Sequence, residues 1–467
     1  MNLSATKNPS APPVMRTRLL SPEMRARFER LDVDLKEGLV PAWVFGSDPE
    51  LYALERERLF PRVWTFVGHE SEIPSPGDHV LRYVGEDSFL FIRGGDGVIR
   101  LLFNACRHRG AQICAVERGN SKGFQCPYHG WTYSSTGELV AAPTQDEAMG
   151  GLDRSQWGLI AAPRLERYHG FYFACLDAKA PSLEAYLGHA AYYLDIFFGL
   201  FDDLEVVGVP QRYMWPTSWK AGFDGFGDDY HLITLHRSLF QIGAITIPYA
   251  ANILGHHVIA GGGHNITISI APSDETALWG YPKEVTDRYS FDKLDPLQAD
   301  LARRARVLVG TIFPNFSYLI IPLTGTKGQP AVAFAQVRLW QPRGENRMEA
   351  WSWTLVPKRA PASFKEQSHL AAVQTFGSAG VFDQDDGVAG GGMVRTGTSV
   401  FGRNMKLNYQ AGLRIGTAAA IKDWPGPGLA TTHRYEENSY RYTVRQWSRF
   451  VLADDYPEIL APPRVLD

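Results

Sequence analysis

The sequence predicts an α+β fold in two parts, a small antiparallel β domain followed by a larger domain in which an antiparallel sheet is covered by helices. Three observations point there. Short alternating segments such as H-V-L-R-Y-V, S-F-L-F-I-R and Y-H-G-F-Y-F-A-C-L crowd between residues 63 and about 176, separated by P-G-D, G-G-D-G and S-T-G-E turn signals. Beyond them, strand-like runs near 206–214, 255–270, 311–322 and 331–357 alternate with helical patterns near 220–240, 361–376 and 434–453. Finally, 467 residues with 45% hydrophobic and 12% aromatic content are enough for more than one core.

In chain order, residues 1–15 are polar and proline-bearing and read as a loose tail. S-P-E-M-R-A-R-F-E-R-L from Ser21 offers a cap, a first-turn proline and an acid, a helix start. A second short helix is expected over D-P-E-L-Y-A-L-E-R-E-R-L-F, residues 48–60. The expected division is 1–60 as tail and helices packed on the larger domain, 61–180 as the β domain and 181–467 as the larger domain, with 177–205 helical and linker-like. No internal repeat is visible.

Forty-seven basic and 50 acidic residues leave a formal net charge of −3. That balance gives no electrostatic reason to expect nucleic acid or a membrane surface as partner. The N-terminal stretch lacks a signal-peptide apolar core, and no run approaches the roughly 18 apolar residues of a membrane span; a cytoplasmic location is the expectation.

Chemistry concentrates first in residues 104–133, N-A-C-R-H-R-G-A-Q-I-C-A-V-E-R-G-N-S-K-G-F-Q-C-P-Y-H-G-W-T-Y. Cys106 and His108 form one short pair, Cys126 and His129 another. One intervening residue between Cys106 and His108 lets both side chains leave the same face of a loop, cramped for one tetrahedral ion but suited to two adjacent irons. A Rieske [2Fe-2S] centre requires two thiolates on one iron and two imidazoles on the other. Gly110 and Gly130 sit where the backbone must turn beside the ligands. The competing readings are a Cys2His2 zinc knuckle, whose pairs are usually separated by roughly two to five residues, and two disulfides, which need an oxidising compartment. Cys114 and Cys175 fall outside the pairs and read as buried thiols.

The second concentration is S-W-K-A-G-F-D-G-F-G-D-D-Y-H-L-I-T-L-H, residues 218–236, with Asp228, His231 and His236. On a helix Asp228 and His231 share a face, so the carboxylate could accept a hydrogen bond from the imidazole's free nitrogen. His236 lies about 140° from His231 on a regular helix, so both reach one metal only if the helix unwinds or bulges. Two histidines need a carboxylate to complete a facial triad with open positions. G-S-A-G-V-F-D-Q-D-D-G, residues 377–387, offers Asp383, Asp385 and Asp386. The bland alternatives are a capped helix start with solvated acids, and one buried and one surface histidine.

Taken together, these motifs resemble the large (α) subunit of Rieske non-heme iron ring-hydroxylating oxygenases, the naphthalene and biphenyl dioxygenase family. The resemblance runs from D-P-E-L-Y-A-L-E and W-T-F-V-G-H-E-S-E-I-P through both metal motifs to W-P-G-P-G and E-E-N-S-Y-R-Y-T-V-R-Q-W. It implies that Cys106 and Cys126 hold one iron of the cluster and His108 and His129 the other. It also implies that His231, His236 and Asp386 hold a mononuclear Fe(II), and that Asp228 is the electron bridge between neighbouring chains of a trimer. Its further implications are ferredoxin and reductase donors fed by NADH, a small β subunit, and an aromatic substrate with O2, dihydroxylated to a cis-dihydrodiol.

Phe376, Phe382 and Leu232 match pocket positions of the family; Phe223, Ile233 and Phe240 join them as apolar candidates, which favours a hydrocarbon ring. Arg237 is the residue that could instead hold a carboxylate. The chain departs from the family at Phe223-Asp224, where a Glu-Asn pair is common, which leaves Asp224 a pocket residue of open role. V-A-G-G-G-M after the acids is expected as a loop. Ala111 and Tyr128 stand where respiratory-type Rieske proteins carry a disulfide, placing the expected potential near about −150 mV. Arg107 and Arg109 are candidates for docking an acidic ferredoxin. A monooxygenase or demethylase with the same metal sites, and an electron carrier using only the cluster, are the alternatives.

Overall fold

The computed structural model describes residues 18–227, 229–241, 243, 254–272, 275–413, 421–431 and 435–460. They form two compact units, Phe60–Ala180 and Arg18–Leu59 together with Pro181–Asp467. No helix among the described residues is long and apolar enough to cross a membrane.

The smaller unit consists of three antiparallel sheets. Strands Ile99–Phe103, Asp87–Arg93, Asp78–Val84 and Arg118–Asn120 lie side by side in one; Arg164–Tyr168, Phe171–Cys175 and Thr65–His69 form another. The third, Gly123–Gln125, Thr132–Ser134 and Leu139–Ala141, carries residues 126–131 as the connection between its first two strands. Leu90, Ile92, Leu102, Tyr133 and Trp131 pack with Cys106 and Cys126 in one buried cluster, so the thiols sit on the core rather than on a free loop.

The larger unit is built on eight antiparallel strands: β1 Leu204–Trp215, β2 Leu254–Gly261, β3 His264–Ile270, β4 Ala305–Ile312, β5 Phe316–Leu323, β6 Val332–Pro342, β7 Met348–Pro357 and β8 Leu429–Thr431. Their order is β1-β7-β6-β5-β4-β3-β2-β8. The single strand expected near 311–322 is two, β4 and β5, turning at residues 313–315. Every residue of β7 is buried, which requires cover on both faces.

Helices carry the site across this sheet. Where a helix with an irregularity at the two histidines was expected over 220–240, the chain makes three short pieces, α1 Lys220–Gly225, α2 Leu232–Leu235 and α3 Arg237–Gln241. α4 Ala362–Thr375 packs over β6 and β7, α5 Asp383–Thr398 follows, and α6 Asn438–Leu452 packs against β2 and β3. Helix Pro22–Lys36 begins as its cap signal predicts, with the Ser21 hydroxyl accepting from Met24 N–H at 3.1 Å.

One expectation holds in part and one fails. Residues 177–205, expected to be helical and linker-like, do contain the helical turns Leu183–Leu187, His189–Leu194 and Asp195–Gly199, but with Tyr186, Tyr193 and Phe197 buried they are part of the core rather than a linker. Residues 387–393, expected as a loop, lie inside α5. The glycines of α5 each cost a helix about 1 kcal/mol relative to alanine, but they let it approach its neighbours: a Cβ on Gly390 would stand 3.1 Å from Thr217 Oγ1, and one on Gly397, beyond that run, would meet the Ala42 carbonyl.

Candidate metal centres and cavity

The two cysteine-histidine loops repeat one backbone pattern. Cys106 N–H donates to the Ala111 carbonyl and Gly110 N–H to the Cys106 carbonyl, both at 2.8 Å; Cys126 N–H donates to Trp131 at 2.7 Å and Gly130 N–H to Cys126 at 3.0 Å. Each turn closes through glycine at φ +75° or +73°, a left-handed conformation that a Cβ would strain. Both thiols are buried, and the His108 and His129 rings stand 4.5 Å apart with Trp131 stacked on His108 at 5.1 Å.

Donor chemistry and spacing together test what fits between these loops. His108 Nδ1 and His129 Nδ1 are buried with no hydrogen-bond partner, a costly state for a polar nitrogen unless a ligand takes its lone pair. Among the described residues, the only His, Cys, Asp or Glu group with three donor atoms mutually within 4.8 Å is His231, His236 and Asp386. Four donors on one zinc would lie within about 4 Å of each other, so the loop quartet is too spread for a zinc knuckle and fits a two-iron group. Tyr133 places its hydroxyl 3.3 Å from Cys106 Sγ and accepts from Arg107 N–H at 2.9 Å. Burial pushes the phenol's pKa up, so it stays protonated and can donate to the sulfur.

The second group forms where α2 meets α5. His231 and His236 cap the two ends of α2, and His236 has left helical geometry at φ −95°, ψ 19°. That break brings both rings to one carboxylate: Asp386 Oδ1 lies 3.8 Å from His231 Nε2 and 3.5 Å from His236 Nε2. Asp385, one residue earlier, faces the other nitrogen of His236 at 3.3 Å, where it can fix the ring's tautomer and orientation. Asp228 lies outside the described residues.

These three side chains close one end of a largely apolar cavity. Leu232, Phe240, Phe376 and Phe382 line it, with Phe376 and Phe382 stacked at 4.7 Å. Phe223 does not: it is wholly buried against Trp219 and Tyr440. Phe226, three residues on, takes the wall position because α1 ends at Gly225. Asp224 lines a neighbouring cavity, also bounded by His231, Trp340 and Asp386. Ile233 and Arg237 are exposed and line neither. The walls that the sequence reading missed come from the sheet, Val307 and Val309 on β4 with Leu319, Ile321 and Leu323 on β5; their i, i+2 spacing puts each set on one face of its strand.

A thiolate-imidazole quartet sized for two irons and a separate two-histidine, one-carboxylate triad at an apolar cavity define the class, a two-centre iron oxygenase. Residues 63–163 match the Rieske [2Fe-2S] domain and residues 183–402 the ring hydroxylating alpha subunit catalytic domain. The chain is 37% identical over 434 residues to the N,N-dimethyl phenylurea N-demethylase subunit alpha of Sphingobium sp., covering 90% of this chain and 93% of that protein. It is 33% identical to the biphenyl 2,3-dioxygenase subunit alpha of Rhodococcus jostii, covering 91% of each. A crystal structure of naphthalene 1,2-dioxygenase from Rhodococcus sp. bound to indole superposes with a TM-score of 0.88 at 38% identity, over 94% of this chain and all of that one. The chain belongs to the alpha subunits of the Rieske ring-hydroxylating oxygenases, with one [2Fe-2S] cluster and one mononuclear iron as its cofactors.

Proposed function

We propose that this chain is the large subunit of a terminal oxygenase that cis-dihydroxylates an uncharged aromatic ring, with Cys106, His108, Cys126 and His129 holding the cluster and His231, His236 and Asp386 the single iron. The two iron groups, when bound, supply one-electron transfer and activation of dioxygen. The protein's own part is positional. Phe226, Phe240 and the Phe376–Phe382 stack grip the flat faces of a ring, while Val307, Val309, Leu319 and Ile321 form an apolar back wall that keeps water from it. None of the described lining residues is Lys or Arg, so a carboxylated ring would find no counter-ion and would be desolvated at a cost.

The observation that carries the proposal is this apolar cavity ending on His231, His236 and Asp386. Electrons are proposed to come from NADH through reductase and ferredoxin components, with Asp228 as the bridge to His231 and a small β subunit completing the assembly.

One observation favours a second reading, oxidative N-demethylation: a relative with 37% identity is named for that reaction, and a neutral aryl urea also suits this cavity. Incubating the reconstituted oxygenase with ¹⁸O2 separates them. Two labelled oxygens in a cis-diol of an arene support the first reading. Formaldehyde released from an N,N-dimethyl aryl urea, with no diol from any arene, supports the second; turnover of neither overturns both.

A further inference from the structure

We propose that Arg338 is the positioning residue of the iron site, fixing the carboxylate ligand and two walls of the cavity from behind without touching a ligating atom. This rests on the reading that His231, His236 and Asp386 hold the iron.

Arg338 lies on β6 paired with Ser317 of β5; two residues further along β5 is Leu319, so the Arg338 side chain shares the cavity face of the sheet. It is wholly buried. Its guanidinium forks onto Asp383, with Nη1 donating to Oδ1 at 2.8 Å and Nη2 to Oδ2 at 2.6 Å. The Tyr213 hydroxyl donates to Oδ2 of the same carboxylate at 2.5 Å. Asp383 is the first residue of α5, and Asp386 follows three residues later on the same face. Holding Asp383 therefore fixes the start of the helix and the direction of Asp386.

The same guanidinium reaches the cavity walls. Its central carbon stands 5.5 Å from the Phe226 ring and 5.3 Å from the Phe376 ring, within cation–π range of both. Its Nε donates to Gln336 Oε1 at 3.1 Å, and the Gln336 amide donates to the Phe376 carbonyl at 2.7 Å. One side chain thus ties the carboxylate-bearing helix to two rings that face the substrate space. A buried ion pair adds little net stability over an apolar pair of the same volume, whereas a planar five-donor fork specifies direction. Direction is what the carboxylate of a three-ligand site needs.

The test is cobalt(II) binding to protein stripped of its single iron but retaining its cluster, read as a dissociation constant and a ligand-field spectrum. Arg338→Gln is expected to weaken cobalt binding about 10- to 100-fold and to alter the ligand-field bands while the cluster spectrum stays unchanged. Arg338→Lys, which restores the charge but not the fork, is expected to recover only part of the loss. Tyr213→Phe deletes one hydroxyl and is expected to weaken binding measurably, by less than Arg338→Gln, and to shift the same bands; if Arg338→Gln does not fold, this variant decides. Wild-type affinity and bands in a folded Arg338→Gln or in Tyr213→Phe would overturn the inference. Wild-type affinity in Asp386→Ala would instead overturn the iron-site reading beneath it.

Discussion

Tyr133 shows how a single buried residue sets the chemistry of a neighbouring group. Its protonated phenol can donate to Cys106 Sγ at 3.3 Å, and hydrogen bonds to cluster sulfurs stabilise the electron-rich reduced state. Tyr133→Phe is therefore expected to lower the cluster's reduction potential while leaving its iron and sulfide content unchanged, measured by a redox titration followed by EPR; an unchanged potential would remove this role. At this scale the candidate ligands could be picked out because spacing speaks directly: Cys-x-His with Cys-x2-His, and two histidines five apart, state what they could hold. The pocket rings were only partly legible. Phe223 and Phe226 are both aromatic and three residues apart, and only the end of α1 at Gly225 decides which one faces the cavity. Asp385 was visible as an acid, but its approach to the far nitrogen of His236 exists only once α2 and α5 meet.

At the scale of elements, α5 carries Asp386 to the histidines, and its glycine run is the price of close packing. The glycines are not equivalent. A Cβ on Gly397 would sit 2.4 Å from the Ala42 carbonyl oxygen and 2.6 Å from the Gly46 nitrogen, both backbone atoms that cannot step aside. Gly397→Ala is expected to destabilise the protein by about 1–3 kcal/mol despite the better helix propensity. A Cβ on Gly392 would meet only the end of Arg395 at 3.8 Å, so Gly392→Ala is expected to stabilise by about 0.5–1 kcal/mol. Denaturant unfolding of both variants checks the pair, and equal effects would mean that packing does not govern this helix. The same glycines hid the continuation of α5 past its acidic start, since G-V-A-G-G-G-M has the local propensity of a loop and only tertiary contact overrides it. The break within 220–240 was legible for the opposite reason: two histidines about 140° apart on a regular helix cannot share a metal.

For the whole molecule, buried neutral histidines link stability to pH. Burial lowers His69, His256 and His264 each to about 4. His264 is locked as a neutral imidazole, accepting from Phe313 N–H at 3.0 Å while its other nitrogen lies 2.9 Å from the Tyr186 carbonyl. A histidine whose folded pKa lies below its unfolded value near 6.5 binds its proton more readily when unfolded. These groups therefore leave stability intact above about pH 6.5 and withdraw it progressively as pH falls toward 4. The melting temperature is expected to fall through that window, with protons taken up on unfolding at pH 5.5 when measured by calorimetry in buffers of different ionisation enthalpy. No proton uptake at pH 5.5 would contradict the assignment. The small β unit was legible at this scale from its alternating strands and turns. The order of the eight-stranded sheet was not, because strands buried on both faces, such as β7, lose the alternation that marks a strand and its facing side.

Two distinct iron centres distinguish this chain from an electron carrier that holds only the cluster. Iron and acid-labile sulfide per chain, with EPR of the dithionite-reduced protein, test this distinction most directly when the wild type is measured beside Asp386→Ala. The wild type is expected to hold about three irons and two sulfides with a Rieske signal, and the variant about two irons with the same sulfide and signal. Zinc without sulfide in the wild type, or equal iron in both proteins, would contradict it.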